Sequence, residues 1–304
     1  MTQNRAPSRR DMWVHMLLYP GHTLPTALAP ILVAVGLAQR DAAFAALPAL
    51  AAFFAGWLIQ VGGVFTDNYE NLVRHPDDRE HPQLVHALQS GALTLGGLRA
   101  AIAACYLGAF AAGAYLLSIA GLPVLWIGLA AIAASLLYSA GPWPFGAAGL
   151  ADPVFLIFFG VVSVLGGYVV QAQPDSLPWH AIALGLPVGA LTTCILIIDD
   201  IRDREFDIVK GKRTITVRYG IDWSRAEFVA LQAFAYLAPF WFWRALGFSA
   251  WVLLPLASLP LAIAATRRVL KLERFEDLVP MTPRAAGLLT VYSALLALGV
   301  GLSR

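Results

Sequence analysis

Apolar residues fall along this chain in long unbroken blocks, not in the stripes of an amphipathic helix or the alternation of a strand. A helix crossing a bilayer needs about 20 predominantly apolar residues. Nine blocks meet that need: roughly 13–38, 42–65, 97–119, 121–139, 149–170, 178–198, 225–246, 249–270 and 285–303. Several contain Pro or Gly, which a membrane bundle accommodates because neighbouring helices satisfy the freed backbone groups. The predicted fold is therefore an all-α integral membrane protein of nine transmembrane helices, one domain over residues 1–304.

Composition agrees. The chain is 59% hydrophobic and 13% charged, with a mean hydropathy of +0.67. Soluble domains carry about 25% charged residues, so a soluble globular protein is excluded. The net charge of +2 says little about partners beyond membrane lipid, and no nucleic-acid partner is expected. Cys105 and Cys194 lie in apolar blocks and read as buried thiols. The polar, basic start, "MTQNRAPSRRDMW", leads into an ordinary span without a small-residue cleavage site, so no signal peptide is read.

Charge then orients the blocks. With nine spans, the N-terminus and the segments after spans 2, 4, 6 and 8 share one side, which holds 18 of the 21 Lys and Arg residues. The other side holds Arg40, Arg244 and Arg304. The positive-inside rule places the N-terminus and the basic side in the cytoplasm.

Two segments on that side stand out. The first, after span 2, is "TDNYENLVRHPDDREHPQLVHALQSG", Thr66 to Gly91. The second, after span 6, lies in "IIDDIRDREFDIVKGKRTITVRYG", Ile197 to Gly220. Each begins where the second helix in a group of four ends, with Asp67 and Asp203 in corresponding places. A loose internal duplication is expected, its two equivalent helix ends facing each other.

The second segment carries the clearer chemistry. If its helix continues past the membrane surface, Asp199, Asp203 and Asp207 lie one turn apart on one face. Carboxylates at a helix C-terminus sit against the negative end of the dipole and repel one another, so a compensating cation is required. Mg2+ takes oxygen ligands and binds through one or two carboxylates plus substrate phosphates. Lys210, Lys212 and Arg213 would meet the remaining phosphate charge. An acidic stripe followed by a basic run is thus the composition of a metal–diphosphate site; the plain alternative is a solvated loop of intrahelical ion pairs. The first segment is less regular. Asp67 and Asn71 are one turn apart, Asp77 and Asp78 follow, and Glu70, Arg74, Arg79 and His81 crowd the same stretch. It reads either as a second metal-binding arm or as a polar loop whose charges pair among themselves.

On these motifs the chain resembles the UbiA superfamily of intramembrane prenyltransferases, most of all its 1,4-dihydroxy-2-naphthoate polyprenyltransferase branch in menaquinone synthesis. The resemblance covers nearly the whole chain. It is carried by "HTLPTALAPILVAVGLA" (His22 to Ala38), "YSAGPWPFGAAGLADPVFLIFFGVVSVLGGYVVQ" (Tyr138 to Gln171), "IRDREFDIVKGKRTITVRYG" (Ile201 to Gly220) and "MTPRAAGLLTVYSALLALGVGL" (Met281 to Leu302). The third, a DxxxD followed by GKRT, is the most specific. The resemblance implies a UbiA-like bundle around a central cavity, a polyprenyl diphosphate held by Mg2+ between two Asp-rich arms, and an aromatic acceptor beside it. It implies Asp67, Asn71, Asp77, Asp203 and Asp207 at the metal, and Asn68, Arg79, Asp199, Lys212 and Arg213 around the donor. It puts Asp67, Asp203, Asp207 and Tyr138 at the reaction itself. The first motif departs from the family pattern. It reads Asp67-Asn68-Tyr69-Glu70-Asn71 where the branch has Asn-Asp-Tyr-x-Asp, and "YPGHTL" lacks the usual Arg-Pro.

The implied reaction has a simple physical course. Metal and basic side chains neutralise the diphosphate leaving group, the allylic C–O bond ionises, and an electron-rich ring attacks the cation. Tyr138, Tyr69 and aromatic residues of the bundle are candidate cation walls, against a plain packing role. Asp152, just inside an apolar helix, is either functional or a helix cap. The six His residues show no ligand spacing, and His15 and His22 are expected at the interface. Three other readings stay open: a membrane terpene cyclase, a transporter, and a scaffold that no longer turns over. Transfer to a different quinone-type or other acceptor also stays open.

Overall fold

The structure, a computed structural model, describes residues 9–18, 21–272 and 274–303. The charges of Arg5 and Arg304 and the step at Tyr19 and Pro20 lie outside the described residues, as do the side chains of Arg9 and His15. Among the described residues every regular element is helical. Eight segments of the described residues are long and apolar enough to cross a membrane. The predicted seventh span is a 25-residue helix, Ile221–Ala245, with Asp222, Arg225 and Glu227 in its first two turns and Arg244 near its end. Its length suffices; Gln232, Tyr236, Pro239, Trp241 and Trp243 lower its mean hydropathy and set it apart from the eight.

In chain order the helices are α1 (Arg9–Leu18), α2 (Thr23–Arg40), α3 (Ala46–Arg74), α4 (Pro82–Gln89), α5 (Leu95–Ala120) and α6 (Leu122–Ser139). There follow α7 (Ala151–Phe155), a π-helical stretch (Leu156–Val162), α8 (Ser163–Ala172), α9 (Trp179–Val209), α10 (Ile215–Tyr219) and α11 (Ile221–Ala245). The chain ends with a 3-10 stretch (Ala250–Ser258), α12 (Leu259–Val269), α13 (Phe275–Leu278) and α14 (Met281–Gly301). α7, the π stretch and α8 form one span, Ala151–Ala172.

Two expected boundaries shift for identifiable reasons. The first span starts at Thr23, not at 13, because Gly21 takes φ +84 and breaks the helix there. The residues before it form α1, whose Met12 and Met16 pack with Leu84 and Ala87 of α4. The second difference concerns the acidic segments, which are largely helix. α3 runs for 29 residues and α9 for 31. At 1.5 Å per residue each is about 45 Å long, against about 30 Å of hydrocarbon. Nothing between Phe65 and Arg74 breaks the first helix; it ends at His75, the residue before Pro76, which the proline ring keeps out of the helical region. The second stops at Gly211, whose φ of +72 only glycine adopts cheaply. Both helices therefore carry their carboxylates rigidly, two to three turns beyond the apolar core.

α9 is the axis of the bundle. Its apolar stretch is almost entirely buried, unlike the lipid-facing α5 and α6. It can be so enclosed because glycines let backbones touch: a Cβ at Gly160 would lie 2.4 Å from the Gly185 carbonyl oxygen, and one at Gly189 2.2 Å from that of Leu156. Close approach through small residues is how membrane helices gain packing without a hydrophobic drive. The π stretch lies along this contact, and its extra residue turns Phe158, Phe159 and Val162 toward the interior. On the outside, Leu107, Trp126 and Leu237 are exposed on long helices, as lipid contact allows. Cys105 and Cys194 are buried free thiols, as expected.

Candidate active site

A cavity of about 880 Å3 opens at the end of the bundle where α3 and α9 carry their carboxylates, and continues into the apolar interior. Asp67, Asn68, Asn71, Tyr138, Asp199, Asp203, Asp207 and Lys212 all line it. Asp77, Arg79 and Arg213 are exposed and do not. Arg213 contributes through its backbone, whose N–H donates to the Ala147 carbonyl at 2.7 Å and pins the basic run against the α6–α7 connection.

On the α3 arm, Asp67 is held at both oxygens. Ser139 Oγ, at the end of α6, donates to Oδ1 at 2.6 Å, and Asn71 Nδ2 donates to Oδ2 at 3.0 Å. Asn68 and Asn71 are buried beside it, while Arg74 pairs with Glu70 at 2.8 Å. Tyr69 turns away: its hydroxyl accepts from Arg99 Nε at 2.8 Å, and it packs in the α1–α4 cluster instead of on the cavity.

On the α9 arm, the acidic stripe is paired within the protein. Arg202 donates to Asp199 Oδ1 at 2.6 Å and, through Nε, to Asp203 Oδ1 at 2.7 Å. Thr282 of α14 donates to Asp199 at 2.5 Å. Lys212 Nζ lies 2.9 Å from Asp207 Oδ1. Burial works against the Lys212 ammonium, but Asp207, Asp67 and Glu80 outweigh it and hold its pKa above the ordinary lysine value. Lys212 therefore sits in the field of both arms.

The arms are joined by a contact that lies beyond the expected stripe. Lys210 Nζ is 3.0 Å from Asp78 Oδ1 and also meets Glu80, and all three side chains are buried. His81 Nδ1 lies 3.0 Å from Asp78 Oδ2. Asp78, Glu80 and His81 are the one trio of metal-type side chains among the described residues with ligand atoms mutually within 4.8 Å. The lysine ammonium already serves as their cation. Burial disfavours the charged form of each; for Asp78 the hydrogen bond with His81 and the charge of Lys210 win and pull its pKa down. Glu80 is also lowered, and His81 is raised by Asp78 and Glu80.

Deeper, the wall becomes apolar and aromatic. The Tyr138 ring meets Phe145 at 5.6 Å and Phe155 at 5.8 Å between centroids, and Phe155 meets Phe159 at 4.8 Å. Asp152 stands behind this wall, buried, with no cap bond and no partner for Oδ1. His22, expected at the interface, is on the cavity wall. The sequence pattern assigned no role to Ser139, Thr282 or Gln60, and it singled out neither Arg202 among the nearby cations nor any one phenylalanine among the aromatic residues of the bundle. The "VFLIFF" run and an amide in mid-span were the available signals.

The donor set suits a hard cation. Asp67, Asn71, Asp203 and Asp207 offer carboxylate and amide oxygens, with no thiolate and no imidazole among them, as Mg2+ requires. Chemically, the arrangement can receive a polyanion between two rigid arms and an apolar chain in the chamber behind.

Comparison with known proteins agrees with this geometry. The chain is 31% identical to the 1,4-dihydroxy-2-naphthoate octaprenyltransferase of Haemophilus influenzae over 71% of its length and 73% of that protein's. It is 29% identical to the Escherichia coli protein of the same name over 98% of its length and 97% of that one. The structure of a UbiA homolog from Archaeoglobus fulgidus bound to GPP and Mg2+ superposes with a TM-score of 0.64 at 17% identity, covering 93% of this chain and 98% of that one. The family model described as UbiA prenyltransferase matches residues 27–278. The chain belongs to the UbiA prenyltransferase family, and is an integral membrane prenyltransferase.

Proposed function

We propose that this prenyltransferase moves a polyprenyl group from an allylic diphosphate to 1,4-dihydroxy-2-naphthoate, with Mg2+ as cofactor and with the two carboxylate arms on the cytoplasmic side. The observation that carries the reading is the pair of rigid helix ends, Asp67 and Asn71 on one and Asp203 and Asp207 on the other, with Lys212 between them and an aromatic chamber below. Similarity to two naphthoate octaprenyltransferases over most of their length supports the acceptor class. The concentration of Lys and Arg on that side supports the orientation.

Asp67, Asn71, Asp203 and Asp207 are the residues that would hold the metal. When bound, Mg2+ supplies charge neutralisation at the diphosphate oxygens as the C–O bond lengthens. Lys212 adds a positive charge at the same place, held in position by Asp207. Arg202, released in part from Asp199 and Asp203 as those groups take new partners, is a second donor to phosphate oxygens. The rings of Tyr138, Phe155 and Phe159 face the developing allylic cation and stabilise it without a nucleophile to trap it. The acceptor's ring carbon attacks, the new C–C bond forms, and the ring recovers its electrons by losing carbon dioxide. The test is mass-spectrometric detection of the decarboxylated, prenylated product from purified protein in lipid vesicles, with Mg2+ and with chelator. A product seen only with metal and with the naphthoate supports the reading. A prenylated product from 4-hydroxybenzoate alone would replace the acceptor.

A further inference from the structure

Four cations meet where α12 ends. Arg267 and Arg268 lie in its last turn and Lys271 just beyond; all three are exposed, and none pairs with a carboxylate among the described residues. The negative end of a helix dipole attracts cations, but here Arg225 of α11 already takes that role. Its Nε donates to the Val269 carbonyl at 3.2 Å and one Nη to the Leu272 carbonyl at 3.0 Å. The other Nη lies 3.6 Å from Asp222, whose side chain is fully exposed, so this pair is weak in water. Like charges gathered in this way, with one exposed carboxylate among them, attract an anion.

An apolar groove of about 530 Å3 begins at the same end. It runs between α11 and α12 and is lined by Asp222, Arg225, Ala226, Val229, Ala230 and Ala233 of α11 and by Leu270. Ala226, Ala230 and Ala233 fall on one face of α11 and are exposed, so their methyl groups form a shallow floor. Val229 and Leu270, 38% and 44% exposed, are the walls. From Ala226 to Ala233 the floor runs about 10 Å away from the cations. Thr266 of α12 donates to buried Gln232 of α11 at 2.9 Å and holds the two helices together. The groove shares no residue with the active-site cavity. It is a crease in the outer surface of the bundle.

We infer that this groove seats one anionic phospholipid, with an acyl chain along Ala226, Ala230 and Ala233 and its phosphate among Arg225, Arg267 and Lys271. The occupant must be an amphiphile, because a small anion would leave the apolar floor unused. It must carry net negative charge, because a zwitterionic head brings a cation of its own to a basic rim. A second copy packed here about a two-fold axis would set the same cations against each other. Basic residues at the membrane surface and a chain-shaped apolar crease beside them are the complement of a lipid such as phosphatidylglycerol.

The experiment uses the purified full chain, stripped of lipid in mild detergent. It is titrated with phosphatidylglycerol or with phosphatidylcholine of the same acyl chains, and retained lipid is read by native mass spectrometry. The wild type should retain one phosphatidylglycerol about ten- to a hundredfold more tightly than phosphatidylcholine, as expected for two or three Lys or Arg beside one phosphate. The double variant Arg267→Gln/Lys271→Gln should bring phosphatidylglycerol down to the phosphatidylcholine level. Ala230→Phe fills the groove from an exposed position and should remove that one lipid with every charge in place. Both variants should match the wild-type unfolding temperature in lipid-free detergent, and the double variant carries the test if Ala230→Phe does not fold. Glycerol 3-phosphate, the head without the chains, should not displace the lipid at millimolar concentration. Equal retention of the two lipids by the wild type would overturn the inference. So would undiminished phosphatidylglycerol in either folded variant, or displacement by glycerol 3-phosphate. A dimer mass that disappears in Ala230→Phe, in place of a lipid adduct, would give the groove to a second copy and overturn it too.

Discussion

Replacing Lys210 by Met isolates the contact that joins the two arms. The stem volume is kept and the charge removed. Lys210, Asp78 and Glu80 have side chains only 5%, 3% and 8% exposed, so the two carboxylates lose their lysine where water cannot replace it. Removing one partner of a buried ion pair costs about 3–5 kcal/mol, whereas an exposed pair is worth about 0–1 kcal/mol. The connection between α3 and α4 holds few apolar contacts, so the loss should appear as local opening of residues 75–81 and not as global unfolding. At about 1.4 kcal/mol per factor of ten, 3 kcal/mol is roughly a hundredfold rise in the open fraction. Arg79 is exposed within this segment and gives trypsin a site there. With cleavage slower than reclosing, the rate follows that fraction. Lys210→Met should be cut after Arg79 about a hundredfold faster than wild type, and Lys210→Arg only a few-fold faster. An increase below about fivefold for Lys210→Met would refute a buried triad and reduce the contact to surface pairing. Protection should also follow pH. His81 has its pKa raised above 6.5 because Asp78 and Glu80 outweigh burial, so its contribution is full below 6.5 and is lost as pH rises through the raised value. Asp78 and Glu80 are lowered, so theirs is present above the ordinary carboxylate range and lost as pH falls below it. Cleavage should be slowest near pH 5–6.5 and accelerate on both sides.

Asp203→Asn removes one carboxylate charge from the α9 arm and one anchor of Arg202; Mg2+-dependent diphosphate release should fall about a hundred- to a thousandfold, and a loss under tenfold would remove Asp203 from the donor site. Gly160→Ala forces a Cβ to 2.4 Å from the Gly185 carbonyl, against backbone that cannot yield, and should lower stability by about 1–3 kcal/mol or more in thermal inactivation in detergent. Gly128→Ala, whose Cβ meets nothing within 4 Å, should change it little. Tyr138→Leu strips one ring from the cation wall and should slow transfer about tenfold at saturating donor, while Tyr138→Phe, which keeps the ring face, should stay within about threefold of wild type.

The spans were legible because membrane solvent leaves a coarse signal: a block of about 20 apolar residues can only be a helix or a barrel strand pair, and these blocks were far too long for strands. Asp203, Asp207 and Lys212 were legible because an acidic stripe on a helix end followed by a basic run has few other uses. Local pattern could not assign partners. "DDIRD" reads as an unneutralised stripe until Arg202 is seen folded back over Asp199 and Asp203. Lys210 and Lys212 are two residues apart and alike on the page. One crosses to Asp78 and Glu80 while the other stays with Asp207, a division set by the turn at Gly211 and by the position of a loop 130 residues earlier. Asp77 and Asp78 are equally alike; Pro76 and the turn after it expose the first and bury the second. Thr26 and Gln60 belong to different helices, and only the packing of α2 on α3 brings them together.

In the proposed reaction the two arms ionise an allylic diphosphate only when an aromatic ring is bound beside it. The most direct test is diphosphate release by the purified protein from geranylgeranyl diphosphate with Mg2+, measured with and without 1,4-dihydroxy-2-naphthoate and beside Asp203→Asn. Release that requires metal and naphthoate together, and is lost in the variant, is the predicted result. Release with metal alone would contradict it and point to a cation that closes on itself, and no release with any acceptor would mean the altered α3 arm no longer supports chemistry.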